Sequence, residues 1–235
     1  MKKLSLLSLF AVLFLAATLA NAQCGGPCLF YAGDLDLNDP NQNGLANEND
    51  AIVNGNPYGA ATYQNFTLSS DAAVASLFSN NLSMLNPATA YWEIRTGVSE
   101  GNGGTLIASG TAVDVVTATG RTDFGYTEYR NQVWVNLNLQ GGTEYWMAVV
   151  PQDPNDANRS FNSNTDGLHS VGTQTSGQQF FNSAFFGANF TNANNEGVFN
   201  AFSQGVIATP EPSSLIMLGS GLFAAAGAIR RCLYR

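Results

Sequence analysis

Hydrophobic and polar residues alternate with period two along the middle of this chain, and "AYWEIRT" shows the pattern plainly. Ala90, Trp92 and Ile94 fall on one face and Tyr91, Glu93 and Arg95 on the other, as in a strand with one apolar and one polar or amphipathic side. The glycines of "EGNGG" then turn the chain into "TLIASGTAVDVVTA". In "NQVWVNLNLQGGTEYWMAVVP", Val133, Val135, Leu137 and Leu139 alternate with Trp134, Asn136 and Asn138. Gln140, Gly141 and Gly142 read as a hairpin turn, and "TEYWMAVV" as the returning strand, ended by Pro151. No segment of the body offers a convincing amphipathic helix, and "DAAVASLFSNNL" reads as strand. After the loop-like "PQDPNDANRSFNSNTDG", Phe180, Phe181, Phe185, Phe186 and Phe190 read as core residues of the last strands, because rings exposed at that density invite aggregation. Short strands between Gly and Asn turns predict an all-β fold: an antiparallel two-sheet sandwich, jelly-roll-like.

The two ends break this pattern. Lys2 and Lys3, an apolar stretch over residues 4–19 and Ala20-Asn21-Ala22 make an N-terminal signal peptide, read by signal peptidase, with cleavage before Gln23. Gln23 stands where lipid modification wants a small residue, which argues against anchoring through Cys24. At the other end, residues 215–229 are apolar or small and would make about 22 Å of helix, against a hydrocarbon core of about 30 Å. Arg230, Arg231 and Arg235 follow, and the positive-inside rule places them in the cytoplasm with the body outside. Snorkelling arginines and flanking serines help a short helix span.

With the ends set aside, residues 23–209 hold four basic residues (Arg95, Arg121, Arg130, Arg159) against 16 of the 17 acids, a net charge of −12. Such a body is self-repelling and unsuited to nucleic acid or anionic membranes; cations are its natural counter-partners. Its 187 residues are enough for one sizeable core.

Signatures of catalysis are sparse. His169 is the single histidine and has no nucleophile motif beside it, and G-x-S-x-G, a phosphate-binding glycine loop and H-E-x-x-H are all missing. A glycosidase needs two placed carboxylates, which Glu93, Glu128 or Glu144 offer on paper; on a sandwich they read instead as its solvated face. Cys24 and Cys28 enclose Gly25, Gly26 and Pro27 and either close a small disulfide or stay as thiols; Cys232 is segregated behind the apolar run. The loop "DPNQNGLANEND" sets oxygen donors at the spacing of an EF-hand calcium loop: Asp39, Asn41, Asn43, the Leu45 carbonyl, Asn47 and Asp50, with Gly44 at the sharp bend. Its last ligand is Asp rather than Glu and neither flank reads as helix, so a plain Asn-rich turn is the competing reading. Asp34, Asp36 and Glu48 lie near enough in sequence to add charge.

The closing residues resemble the PEP-CTERM sorting signal of bacteria: Pro210-Glu211-Pro212, then "SSLIMLGSGLFAAAGAI", then Arg230-Arg231. Thr209 and the added "CLYR" depart from the usual pattern. The resemblance implies an exosortase-type membrane enzyme that reads the tripeptide, removes the tail and sorts the body. The chain then divides into residues 1–22 (signal peptide), 23–56 (an Asp/Asn-rich segment), 57–207 (the β-sandwich) and 208–235 (the sorting signal with its transmembrane helix). The expected product is exported, transiently anchored in the inner membrane, then placed at the cell surface or in the matrix. We expect a protein with no catalytic site and with exopolysaccharide as candidate partner; a glycosidase-like enzyme is the alternative.

Overall fold

In the computed structural model, described for residues 24, 27–38, 44–55, 57–174, 178–196 and 201–210, the chain is built of strands, with one short 3-10 turn (Ala193–Glu196) and no α-helix among these residues. In chain order the strands are β1 (Cys28–Tyr31), β2 (Leu45–Ala46), β3 (Asn49–Asp50), β4 (Ala61–Thr67), β5 (Ala72–Ser83) and β6 (Thr89–Thr96). There follow β7 (Thr105–Val113), β8 (Val115–Asp123), β9 (Tyr126–Leu139), β10 (Glu144–Asp153) and β11 (Ser160–Asn162). The last are β12 (Asn164–Thr165), β13 (Phe180–Ser183), β14 (Ala188–Asn192), β15 (Ala201–Phe202) and β16 (Gln204–Ala208). The signal peptide, Asp39, Asn41, Asn43 and residues 211–235 lie outside the described residues.

Two seven-stranded sheets carry the architecture. In the first, β9 lies between β8 and β5, and the far edge of β5 is shared by β16, which leads to β1, and by β11, which leads to β2. The second runs β14-β13-β4-β10-β6-β7, with β3 beside the end of β10 in parallel. All other strand pairs are antiparallel. The main core fills the space between the sheets: Phe30, Val74, Leu77, Val133 and Val206 from the first meet Phe66, Ile94, Met147 and Val149 from the second. Phe30, Phe66 and Tyr145 stack in series at 5.3 and 5.7 Å between centroids. The alternation in "AYWEIRT" and from Val133 to Leu139 is the pattern of these core-facing strands.

The structure corrects several expectations. Gln140-Gly141-Gly142 is not a hairpin turn, because β9 belongs to the first sheet and β10 to the second. It is a corner between sheets, held by Gly142 N–H on the Leu68 carbonyl (2.8 Å) and Gly141 N–H on Asp71 (2.9 Å). A Cβ at position 141 would sit 2.5 Å from the Ser70 backbone, so glycine is required there. A local turn signal fixes a reversal of direction but not the partner strand. "TLIASGTAVDVVTA" likewise divides at Asp114 into β7 in the second sheet and β8 in the first.

Pro151 does not end its strand: β10 continues to Asp153, with Pro151 opposite Ala90. The other edge of β10 is paired by β4 up to Met147 and by β3 from Gln152, so the missing N–H falls where the neighbour changes. The Val149 carbonyl in that gap is met by Asn47 Nδ2 and Ser79 Oγ, each at 2.8 Å. β1, β2 and β3 are woven into the same sheets, so the described part of residues 23–56 belongs to the sandwich. Phe180, Phe181 and Phe190 are buried as expected, whereas Phe185 is 60 % exposed and Phe186 is also exposed.

Candidate functional site

The sorting end begins just after the last described strand. β16 is held on both sides, by β1 and by β5, and the Thr209 N–H still bonds the Ala73 carbonyl at 2.9 Å. Pro210 follows, exposed. The recognition tripeptide therefore starts two residues after the last strand. Glu211, Pro212, Arg230 and Arg231 lie outside the described residues.

The three strand carboxylates do not form the solvated face that their alternation suggested. Glu93 is buried, because a second aromatic layer covers the outer face of the second sheet: Tyr63, Tyr91, Trp146, Phe180 and Phe190, with Val98. Tyr63 OH donates to Glu93 Oε1 at 2.6 Å, Tyr91 OH to Oε2 at 2.8 Å, and the Arg95 guanidinium pairs with both oxygens. Burial first, and then the neighbouring carboxylate, push both phenols well above their ordinary pKa. Arg95 also lies 5.2 Å from the Phe190 ring centroid. Glu144 accepts from Asn65 Nδ2 at 2.9 Å, further along the same face.

Glu128 is buried on the opposite side of the molecule. Thr119 and Arg121 donate to its Oε2, and Arg121 reaches on to Asp34 at 3.1 Å. Asp34 accepts from Tyr31 OH (2.6 Å) and meets His169 Nδ1 at 2.8 Å. His169 is thus more than a surface residue: it is half-exposed above a buried carboxylate, in the left-handed backbone region at φ 60°. The Arg130 guanidinium lies 4.0 Å from the Phe78 centroid. The Cys24–Cys28 disulfide joins Phe78, Tyr31 and Ile207 in one apolar cluster, the cover over this outer face.

The described half of the Asp39–Asp50 loop is engaged in the fold. Leu45 lies in β2 against β11. Asn47 points into the sandwich, donating to Asn81 Oδ1 (2.9 Å) and to the Val149 carbonyl, and accepting the Thr62 N–H at 3.3 Å. Asp50 Oδ1 caps the turn by accepting from Ile52 and Val53 N–H at 2.8 and 2.9 Å, while buried Oδ2 has no hydrogen-bond partner. Glu48 is fully buried and paired with Arg159, and burial pushes its pKa up to about 7 despite that partner. Neither Asp34 nor Glu48 faces outward as a spare ligand. Among the described residues no three His, Cys, Asp or Glu side chains cluster as a metal site.

One network had no local signature in the sequence. Between the sheets, Asn47 donates to Asn81, Asn81 to Asn131 (2.8 Å) and Asn131 to Asp114 (2.7 Å). Asn162 and Gln204 extend this ladder of amides, Gln204 Nε2 donating to Asn162 Oδ1 at 3.2 Å. It ends on a carboxylate whose Oδ1 is buried without a partner, and burial pushes the Asp114 pKa up to about 7. Asparagine is common on solvated strand faces and in turns, so nothing local marks Asn81 and Asn131 as core residues; the pairing of β5 with β9 does.

The tryptophans divide three ways. Trp146 is buried and donates to the Gln178 carbonyl, Trp92 is half-buried, and Trp134 is 63 % exposed on β9 beside exposed Asn136 and Asn138. An open groove at the end of this strand is lined by Asp71, Asn138 and Gln140.

No helix among the described residues is long and apolar enough to cross a membrane. Residues 208–231 match the family model of the PEP-CTERM protein-sorting motif. No curated protein matches the chain. The chain therefore carries the signal of an exported protein that is anchored transiently in the membrane and directed to an exosortase.

Proposed function

We propose that the exported body acts by contact at the cell surface or in the extracellular matrix, with polysaccharide as its partner, and is not an enzyme. The supporting observation is the placement of the carboxylates. A glycosidase of the usual kind sets two of them about 5 to 10 Å apart across an open cleft. Glu93 and Glu128 lie on opposite outer faces with the sandwich between them, each buried and paired. Glu93 stands opposite Ala148 of β10. Glu144 lies four residues further along that strand, about 13 Å by strand rise. No two of the three flank one substrate bond.

Polysaccharide is favoured by Trp134, a flat ring exposed among uncharged amides, the chemistry that stacks on a pyranose face and bonds its hydroxyls. A glycan array paired with a reducing-sugar assay tests this reading. Binding without turnover, lost in Trp134→Ala, is expected; turnover would overturn it. For the sorting step, changing Pro210-Glu211-Pro212 should block processing and leave export intact, and replacing Arg230 and Arg231 by Ala should weaken membrane retention of the precursor. An unchanged mature mass in the tripeptide variant would count against exosortase processing.

A further inference from the structure

The flank made by β7 and β8 leaves two neighbouring strand edges uncovered. β7 pairs with β6 and β8 with β9, and among the described residues no strand occupies the other edge of either. An open edge presents a row of unpaired N–H and C=O groups, which soluble proteins normally blunt with lysine, proline, a bulge or a covering segment. Residues 105–118 contain no lysine, arginine or proline, and their one acid, Asp114, is buried at the corner. The register shift in β8 lies beyond Ala118 and the bulge in β7 falls at Ile107, so residues 108–113 of β7 and 115–118 of β8 stay regular. Leu106, Ile107, Val113, Val115 and Val116 are all exposed, Val113 to 70 %.

We infer that this flank joins two copies of the chain edge to edge. The two strands belong to different sheets and meet at Asp114, so the flank offers two edges about a sheet spacing, ~10 Å, apart. A single extended peptide satisfies only one of them. A second copy brings the matching pair under a two-fold rotation, because antiparallel edges are self-complementary. Charge points to the same occupant. Two bodies of −12 repel over most of their surface, and this stretch, whose single acid is buried, is where they approach with least penalty. A sugar chain is a poor fit here, since residues 105–118 contain no aromatic ring to stack on it.

Sedimentation velocity on the processed, exported chain tests this across a wide concentration range in low and high NaCl. The mean mass should rise from one copy toward two with concentration, and salt should favour the pair by screening the repulsion. The double variant Ile107→Lys, Val116→Lys sets a charge on each edge and should weaken association by roughly tenfold or more. Trp134→Lys, on the outer face of β9, should not. If the double variant loses its native circular dichroism, Thr105→Lys with Thr117→Lys places the same charges at exposed positions of the two edges. A chain monomeric under every condition would overturn the proposal. So would association that persists in folded edge variants, or that Trp134→Lys weakens equally.

Discussion

β6 and β7 are neighbours in one sheet, hydrogen-bonded along their length, yet one is sealed and the other bare. Tyr91 and Glu93 of β6 would face water on their own alternation, but Phe190 and Val98 return over them and make a second, aromatic core. Over β7 nothing returns among the described residues, and its outward side chains stay exposed. Both segments read simply as strands in sequence. What separates them is the path of segments far along the chain, so exposure here is a property of the whole fold rather than of the strand.

The sealed face offers the most forceful way to break that contrast. Glu93→Ala would leave the partly buried Arg95 guanidinium and two phenol hydroxyls without their acceptor. Losing one member of such a pair costs about 3–5 kcal/mol, taken at the lower end because Arg95 retains some exposure. Urea unfolding should show this as a lower midpoint, whereas truncating exposed Ile107 of β7 should stay within about 0.5 kcal/mol. Equal effects at the two positions would mean that the aromatic cover is not formed in solution.

How much of this was legible in sequence follows the same division. The period-two runs gave the strands, the all-β class and the inward residues of β6 and of β9 beyond Val133, because alternation is local. Sheet partners were not legible: the Gly141 corner and the Asp114 corner each look like a turn within one sheet, and which sheet follows depends on contacts made elsewhere. The burial of Glu93 and Glu128 was hidden for that reason too, since a carboxylate on an alternating strand reads as solvated until its arginine and its cover are known. The sorting signal was legible in full because it is linear.

A second test compares the cover of the first sheet with the bare flank. Replacing Cys24 and Cys28 by Ser opens a five-residue loop, for which chain entropy predicts a loss of about 2 kcal/mol. Reductant should lower the melting temperature of the native chain and leave the Cys24→Ser, Cys28→Ser variant unaffected. A native chain indifferent to reductant would show that the apolar cluster around Phe78 holds without the bond.

Asp114 joins the two regions, and its effect depends on pH. Burial raises its pKa from 3.8 to about 7, so between these values the folded state keeps a proton that the unfolded state releases. Stability must then fall as pH rises from about 4 through 7 and level off above. Asp114→Asn stays neutral and can still accept from Asn131. It should match the native chain near pH 4 and be the more stable of the two near pH 8. Glu48, raised by burial in the same direction, should keep a residual slope in the variant. A variant less stable than the native chain at pH 8 would mean that the charged carboxylate is preferred at this corner.

The smallest expected effect belongs to calcium, which we propose for the loop of residues 39–50. Asn47 is engaged in the core and Asp50 Oδ1 in its turn, which leaves Asp50 Oδ2, without a hydrogen bond and 3.9 Å from the Arg159 guanidinium, with Asp39, Asn41 and Asn43 as side-chain donors. Fewer ligands and an Asp in the twelfth position place the affinity at the weak, extracellular end, on the order of 1 mM. By mass action on the native state, 10 mM calcium then adds about 1.4 kcal/mol, a rise of a few degrees in melting temperature. Asp39→Ala should abolish the rise. Asp71→Ala should keep it, because Asp71 accepts from the Gly141 N–H at the corner between sheets rather than from the loop. A melting temperature indifferent to millimolar calcium and to chelator would make the segment an Asn-rich turn, and the −12 body would then have no built cation site in this loop.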